Sequence, residues 1–161
     1  MQSTAIVLLN YNGLELLKKF LPHAIKNSDN ASIFIIDNGS TDSSISWVNN
    51  TYPEIECIIL NRNKGFAGGY NEGLKQIKAE IYALVNTDLE LTPNWLPPLL
   101  SRFESNPETV VVQPHILDYN RRNYFEYAGA AGGYIDALGI PFCRGRLINN
   151  CETDNGQYNL T

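Results

Sequence analysis

Four short apolar runs, separated by segments with a helical pattern, constrain the fold of this 161-residue chain more than any other feature. Three of the runs are continuously apolar and the run after the second predicted helix is interrupted only by Glu56, so none alternates with polar residues as a half-exposed strand would, which is typical of strands covered on both faces in a parallel sheet. The runs are Ala5–Leu9, Ile33–Ile36, Ile55–Leu60 and Tyr82–Val85. A later run, Val110–Val112, is predicted to form a fifth strand.

The segments between the runs carry apolar residues at helical spacing. In the first of them, Pro22 is predicted to kink or restart the helix, because proline lacks the N–H group that a helix interior uses. The next helix follows a turn at Asn38-Gly39 and is predicted to be capped within Ser40–Asp42. A last helix can begin at Pro93. This alternation predicts the α/β class, with a doubly wound and mostly parallel sheet.

The strand–helix pattern ends near Leu117. The next twenty residues are rich in Gly, Ala and Tyr, and the chain from Arg146 onward is polar and without a period. We therefore predict one α/β region over residues 1–117. Residues 118–161 are predicted to start a second region that is truncated or partly disordered.

The composition excludes several classes of function. Twelve basic against 17 acidic residues give a net charge of −5, which argues against nucleic-acid binding. The three cysteines have neither the spacing nor the histidine neighbours of a zinc site, and they are predicted to be reduced thiols of a cytoplasmic protein. No apolar stretch approaches the roughly 20 residues of a membrane span.

Polar side chains follow three of the predicted strands at the point where each strand ends. They are Asn10-Tyr11-Asn12, Asp37–Ser40 and Asn86-Thr87-Asp88. Since ligands of open α/β sheets bind beyond the carboxyl ends of the strands, these clusters predict a binding site at that edge.

Two carboxylates stand out in these clusters, and each has two interpretations. Asp37 either starts and caps a turn, or accepts a hydrogen bond from a nucleotide. Asp88 is either a loop carboxylate or a ligand of a divalent cation that also holds a diphosphate.

The glycine-rich stretch Asn63–Asn71 opens a predicted helix but matches neither common phosphate-binding glycine motif. Lys64 is predicted to contact a ligand, because a cation beside a phosphate-bearing cleft is useful. The later glycines are interpreted as packing residues. His23 and His115 are interpreted as structural.

Taken together, these motifs resemble the family-two glycosyltransferases, especially their rhamnosyltransferase-like branch. The matching segments are Val7–Gly13, Ile36–Asp42, Asn61–Asn71 and Val85–Asp88, and more loosely Tyr127-Ala128-Gly129 up to about Gly145. The resemblance implies the GT-A fold of nucleotide-diphospho-sugar transferases, incomplete at the C-terminal end. It makes residues 1–117 the nucleotide-sugar-binding region and residues 118–161 the start of the acceptor-side region.

The resemblance also implies the ligands and their contacts. The donor is a UDP- or dTDP-sugar, bound with Mn²⁺ or Mg²⁺. Asp88 is the implied metal ligand, because Asn86 stands where the family carries the first carboxylate of its metal motif. The implied nucleotide-binding residues are Asn10, Tyr11, Asn12, Asp37, Asn38, Lys64, Gly65 and Asn86.

The implied reaction is transfer of the sugar, with inversion, to a saccharide or lipid-linked saccharide in cell-surface polysaccharide synthesis. Peripheral association with the cytoplasmic face of the inner membrane and homo-oligomerisation are further expectations. We find no match to the family's acidic base motif before Thr161, so the general base is expected beyond it and this fragment is expected to be inactive in transfer.

Two alternatives remain at this point. The chain could be a non-catalytic domain that binds a nucleotide sugar or another protein. A phosphoacceptor receiver domain also uses aspartates at strand ends, but Asn10 and Asn12 stand where its acidic pair would be.

Overall fold

The computed structural model describes residues 3–127 and 131–158 of the chain. These residues form two compact units, Met1–Leu96 and Pro97–Thr161. The predicted division after residue 117 is a functional one and remains a prediction. The Tyr127-Ala128-Gly129 match falls partly, and the end of the tail wholly, outside the described residues.

The first unit is built on a parallel sheet of four strands. They are β1 (Thr4–Asn10), β2 (Ser32–Asp37), β3 (Glu56–Ile59) and β4 (Ile81–Asn86), in the spatial order β3-β2-β1-β4. The continuous apolar runs therefore predicted the sheet correctly. The chain adds β2 and β3 on one side of β1 and then adds β4 on the other side. A topological switch point therefore lies between β1 and β4.

Helices cover both faces of this sheet. They are α1 (Leu14–Lys26), α2 (Ser44–Thr51) and α3 (Gly65–Gly73), the last followed by a 3₁₀ turn over Leu74–Gln76. Asn10 bonds to Ser44 of α2, whereas Leu9, its neighbour in β1, packs in the cluster that holds Tyr70 of α3. Successive strand residues point to opposite faces, so α2 and α3 lie on opposite sides of the sheet.

Helix α3 lies unusually close to the sheet. A Cβ atom placed on Gly69 would be 2.8 Å from Cδ1 of Leu9. The packing role predicted for this glycine fits that distance. Tyr70 then buries its ring among Val7, Ile36 and Ile58.

One local prediction was wrong and another was wrong in part. Pro22 lies inside α1, which continues to Lys26 without a restart, because the helix is held by its buried apolar face rather than by every backbone bond. The alternative prediction of a kink at Pro22 stays a prediction. Val110–Val112 forms no strand, and Val110 is 86% exposed. A β-branched run forms a strand only beside a partner, and none of the described residues pairs with it.

The second unit begins within α4 (Leu96–Ser105), three residues later than Pro93 had indicated. It contains two short hairpins, formed by β5 (Gly133–Ile135) with β6 (Pro141–Cys143) and by β7 (Arg146–Leu147) with β8 (Asn150–Cys151). Its small core is centred on Phe125 and Ala131, with Cys143 and Tyr158 packed against them.

Candidate functional site

A pocket of about 360 Å³ lies in the first unit, at the carboxyl edge of β1 and β4. This volume is in the range of small-molecule sites. The walls come from the segments at the strand ends, the first turn of α1, and the start of α3 with the loop before it. The lining residues are Leu9, Tyr11, Leu16, Asn38, Asn63, Gly65, Phe66, Asn86, Thr87 and Asp88.

The pocket brings together some of the predicted site residues and not others. Those in its wall are Tyr11, Asn38, Gly65, Asn86 and Asp88. The remaining four, Asn10, Asn12, Asp37 and Lys64, are not among the lining residues. Each of those four has a specific intramolecular partner.

Asn10 and Asp37 form a buried pair below the pocket. They are paired neighbours in β1 and β2, and the side-chain amide of Asn10 donates to Oδ1 of Asp37 over 3.1 Å. The other carboxylate oxygen of Asp37 accepts the N–H of Ser40 at 3.0 Å. Asp37 is 3% exposed and Asn10 is 0% exposed. These bonds fit the turn-forming interpretation of Asp37, and the nucleotide contacts expected of Asn10 and Asp37 remain a prediction.

The amide of Asn10 also joins two serines to this network. Its Nδ2 lies 3.1 Å from Oγ of Ser40 and 2.9 Å from Oγ of Ser44. Oδ1 of Asn10 is buried and has no hydrogen-bond partner among the described residues. The network thus ties the ends of β1 and β2 to the start of α2.

Asn12 and Asp42 join the two loops that follow β1 and β2 by hydrogen bonds. Oδ1 of Asn12 accepts the N–H of Thr41 at 2.7 Å, and the backbone of Asn12 adopts φ +50°, which asparagine tolerates better than most residues. Asp42 accepts the N–H groups of Leu14 and Ser44, the first residues of α1 and α2. Burial raises the pKa of Asp42, but hydrogen bonds from Ser44 and Leu14 outweigh it and leave the pKa below its ordinary value.

A third set of hydrogen bonds shapes the loop before α3. Asn38 donates to Oδ1 of Asn63 at 3.1 Å and to the carbonyl of Gly65 at 3.0 Å, and it accepts the N–H of Lys64 at 2.9 Å. Nζ of Lys64 lies 3.4 Å from the carboxylate of Glu72, which is near the end of α3. The ligand contact predicted for Lys64 therefore competes with an ion pair.

Five lining residues were not named as contact residues in the sequence analysis, although Thr87 belongs to a predicted strand-end cluster and Asn63 to the glycine-rich stretch. They are Leu9, Leu16, Asn63, Phe66 and Thr87. Phe66 is the most exposed of the pocket's aromatic residues at 64%, and its ring meets Tyr70 edge to face. The sequence showed for Phe66 only a place in a helical period. Its position just after a strand-end loop was the signal that could have identified it.

Asp88 supplies the only carboxylate in the pocket wall. It follows β4 in a turn that the N–H of Leu89 closes on the carbonyl of Asn86 at 3.3 Å. No group of three or more His, Cys, Asp or Glu side chains gathers around a common point in the part of the chain that the structure describes. One carboxylate beside amide and hydroxyl oxygens suits a hard cation that takes its other ligands from substrate phosphates and water.

Tyr70 ties α3 to the sheet at the switch point. Its hydroxyl donates to the carbonyl of Val85 at 3.1 Å, with the carbonyl of Val7 at 3.5 Å. Burial raises the pKa of this phenol to about 12. The hydroxyl is therefore a permanent donor that links α3 to β1 and β4.

Most acidic side chains at the end of the second unit are engaged by neighbours. Asp154 lies 3.3 Å from Nδ1 of His115, and Glu152 accepts the hydroxyl of Tyr158. Asp118 accepts backbone N–H groups and the guanidinium of Arg121, and the N–H of Arg121 is the main cause of its lowered pKa. These partners leave little freedom for a proton-accepting role.

None of the described helices is both long and apolar enough to cross a bilayer.

Comparison with curated sequences finds sugar-transferring enzymes. The chain is 28% identical over 115 residues to the undecaprenyl-phosphate 4-deoxy-4-formamido-L-arabinose transferase of Shewanella sediminis, covering 68% of this chain and 35% of that protein. It is 27% identical over 99 residues to polypeptide N-acetylgalactosaminyltransferase 4 of Caenorhabditis elegans, covering 62% of this chain and 16% of that one. The chain thus spans about a third or less of these relatives.

Two solved structures illustrate the fold that this chain shares with other proteins. One is the mannosyltransferase PcManGT of Pyrobaculum calidifontis in complex with GDP-Man and Mn²⁺, with a TM-score of 0.58, 18% identity, and coverage of 66% of this chain and 33% of that one. The other is S. aureus TarS 1-349 in complex with UDP, with a TM-score of 0.56, 18% identity, and coverage of 74% and 43%. The fold is therefore the predicted GT-A fold, incomplete relative to these neighbours.

The family model named Glycosyl transferase family 2 matches residues 5–155, which is nearly the whole chain. This match contains the strand-end motifs and all the pocket-lining residues. The chain belongs to glycosyl transferase family 2.

Proposed function

We propose that this chain binds the nucleotide sugar in a glycosyltransferase that inverts the anomeric carbon, with a UDP- or dTDP-sugar as donor. The observation that carries the proposal is the pocket at the switch point, whose lining includes the aromatic side chains of Tyr11 and Phe66 and the carboxylate of Asp88. These groups suit the two parts of a nucleoside diphosphate, a flat base and a charged diphosphate.

The base is proposed to lie between Tyr11 and Phe66. Both rings line the pocket and are more than half exposed, so a base that stacks on them replaces water on apolar surface. Nδ2 of Asn63 has no acceptor among the described residues, since the hydrogen bonds of this side chain use Oδ1. It can donate to a ring carbonyl, which uracil and thymine both carry.

The diphosphate is proposed to lie near Asp88, with Asn86 and Thr87 beside it. A divalent cation held by Asp88, Mn²⁺ or Mg²⁺, would neutralise the charge that develops on the departing diphosphate. The Mn²⁺ in the complex of the Pyrobaculum mannosyltransferase supports this proposal by fold analogy. Asn10, Asn12, Asp37 and Lys64 are proposed to support the pocket wall rather than to touch the nucleotide.

The acceptor is proposed to be a hydroxyl of a saccharide or lipid-linked saccharide used in cell-surface polysaccharide synthesis, at the cytoplasmic side of the membrane. The Shewanella relative, named for a transfer to undecaprenyl phosphate, supports a lipid-linked acceptor. A base removes the proton of the hydroxyl as it attacks the anomeric carbon from the face opposite the nucleotide. Binding and orientation of the donor are the contributions proposed for this chain.

A second candidate function is binding of a nucleotide sugar without transfer. It is favoured by the partners of Asp118, Glu152 and Asp154, since engaged carboxylates make poor general bases. One measurement distinguishes the two functions, namely sugar transfer by this chain and by the whole enzyme with the same donor and acceptor. We expect transfer by the whole enzyme and none by this chain.

Donor binding is tested by calorimetric titration of UDP, dTDP and GDP with and without Mn²⁺. We expect UDP or dTDP to bind more tightly with the cation, and Asp88→Asn to remove that cation dependence. Glu54→Gln is the matched control, because it also removes one carboxylate but lies on an exposed turn outside the pocket. Equal metal dependence in Asp88→Asn and Glu54→Gln would contradict the assignment of Asp88.

A further inference from the structure

The tripeptide Asp-Asn-Gly occurs twice in this chain, at Asp37-Asn38-Gly39 and at Asp154-Asn155-Gly156. A third Asn-Gly pair is Asn12-Gly13. Asparagine followed by glycine is prone to spontaneous deamidation, because a residue without a Cβ atom leaves its backbone nitrogen open to the asparagine side chain. Since the local chemistry of the three pairs is alike, the structure around each pair decides whether it reacts.

The fold restrains Asn38 at both ends of its side-chain amide. Its Nδ2 donates to Oδ1 of Asn63 and to a backbone carbonyl, and its Oδ1 accepts the N–H of Lys64. The following Gly39 is enclosed as well, because a Cβ atom there would lie 2.6 Å from the backbone carbon of Arg62. The side chain of Asn38 therefore cannot meet the nitrogen of Gly39 unless these contacts break.

The first Asn-Gly pair is held in a similar way. Oδ1 of Asn12 accepts the N–H groups of Thr41 and Asp42 at 2.7 and 3.2 Å. A Cβ atom on Gly13 would lie 2.5 Å from Oδ1 of Asn10, so the space beside this glycine is filled. Attack on the side-chain carbonyl of Asn12 requires the loop after β2 to open first.

The third pair lies in an open turn of the second unit. Asn155 is exposed, and its side chain makes no hydrogen bond among the described residues. Gly156 has φ +72° and nothing within 4 Å of its Cβ position. The N–H of Gly156 donates to Oδ1 of Asp154 at 3.0 Å, in an exposed position. Exposed hydrogen bonds of this kind open more readily than the enclosed ones of the first unit.

We propose that Asn155 is a site of spontaneous deamidation in the folded protein, and that the fold protects Asn12 and Asn38 from the same reaction. The backbone nitrogen of Gly156 loses its proton to hydroxide and attacks Cγ of Asn155. The new C–N bond closes a succinimide ring, and the side-chain nitrogen takes up a proton and leaves as ammonia. Water then opens the ring at one of its two carbonyls and gives aspartate or isoaspartate. The inference does not depend on the transfer reaction.

The product differs from the original chain in charge and in backbone. Either form adds one negative charge to a chain whose net charge is −5. Isoaspartate also adds one carbon to the backbone between Asp154, whose N–H donates to the carbonyl of Asn123, and Tyr158, whose ring packs against Phe125. We therefore expect deamidation to loosen the attachment of this segment to the core of the second unit.

The experiment incubates the folded 161-residue chain at mildly alkaline pH in water enriched in heavy oxygen. Each deamidation adds one heavy oxygen atom, which mass spectrometry of the peptides locates after digestion in acid, where the reaction is slow. We expect Asn155 to react about tenfold or more faster than Asn38, since reaction at Asn38 requires local opening of the fold. Asn38 is the matched control in the same molecule, because both asparagines stand in the sequence Asp-Asn-Gly.

Unfolding and two variants separate the effect of the sequence from that of the fold. In concentrated urea the three asparagines should react at similar rates. In the folded chain, Asn155→Gln should remove the product from its peptide and leave the other two peptides unchanged. Gly156→Ala should slow the reaction at Asn155, because a Cβ atom hinders the approach of the backbone nitrogen. Circular dichroism would confirm that both variants are folded.

Three results would overturn the proposal. The first is a folded chain in which Asn155 reacts no faster than Asn38. The second is an Asn155 that stays unreactive when the chain is unfolded in urea. The third is a reaction at Asn155 that proceeds at the same rate in the folded Gly156→Ala variant.

Discussion

Asn10 donates a side-chain hydrogen bond to Asp37 across β1 and β2 over 3.1 Å, and neither side chain lines the pocket. Because Asp37 is buried with both carboxylate oxygens engaged, Asp37→Ala should lower the free energy of unfolding by about 1.5–3 kcal/mol, the usual contribution of a hydrogen bond to a charged group. Urea unfolding measures this, with the exposed Glu54→Ala as control. An Asp37→Ala variant as stable as wild type would refute the supporting role.

Gly39 should be the least replaceable glycine of the first unit. It has φ +76°, and a Cβ atom there would lie 2.6 Å from the backbone carbon of Arg62. We expect Gly39→Ala to cost about 1–3 kcal/mol or more of stability. Gly65 has nearly the same φ, +72°, with nothing within 4 Å of its Cβ position. Gly65→Ala should therefore lose only the backbone preference, about 1 kcal/mol. Thermal melting of both variants checks the difference, and equal losses would contradict it.

Asp42 should make stability depend on pH in the acidic range. Its pKa is lower in the folded chain than its ordinary value. The contribution is therefore complete above the unfolded pKa of about 3.9 and is lost as the pH falls through the folded pKa. Asp42→Asn should cost about 0.5–1 kcal/mol near neutral pH, and the difference from wild type should vanish in strong acid. Denaturant unfolding at several pH values measures it. A difference that stays constant down to low pH would contradict this role.

Cys57 should resist alkylation in the folded chain. Burial, and then the negative charges of Asp37 and Glu56, raise the pKa of its thiol to about 11. Since the thiolate is the reacting form, roughly one molecule in a thousand is reactive near pH 8. Peptide mapping after N-ethylmaleimide treatment should find Cys57 unmodified until the chain is unfolded. Glu56→Gln should speed the reaction, and equal rates in the folded and unfolded wild type would disprove the effect.

The sequence predicted the sheet because burial on both faces leaves continuous apolar runs, as in Ala5–Leu9. It failed at Val110–Val112, because strand propensity does not specify a partner strand. Pro22 was overestimated as a helix breaker for a related reason: the buried face of α1 outweighs one missing backbone bond. Tertiary contacts decided each of these outcomes.

The position of the site was predictable, but the role of each residue was not. Strand ends located the pocket edge, yet the sequence could not say that Asn10 points down to α2 while Tyr11 faces the pocket. Lys64 shows the same limit, because its ion pair with Glu72 depends on how α3 begins. Phe66 was not identified as a pocket residue, since periodicity alone does not distinguish the first turn of a helix from the next.

The order β3-β2-β1-β4 gives the strand ends around the pocket different mechanical support. Strands β1 and β2 are bonded on both sides, whereas β3 and β4 are each bonded on one side only among the described residues. Tyr11 therefore follows a strand that is held on both sides, whereas Asp88 follows a strand that is held on one side. A donor bound there would slow amide hydrogen exchange most in β4 and the turn after it, because those amides have the most protection to gain.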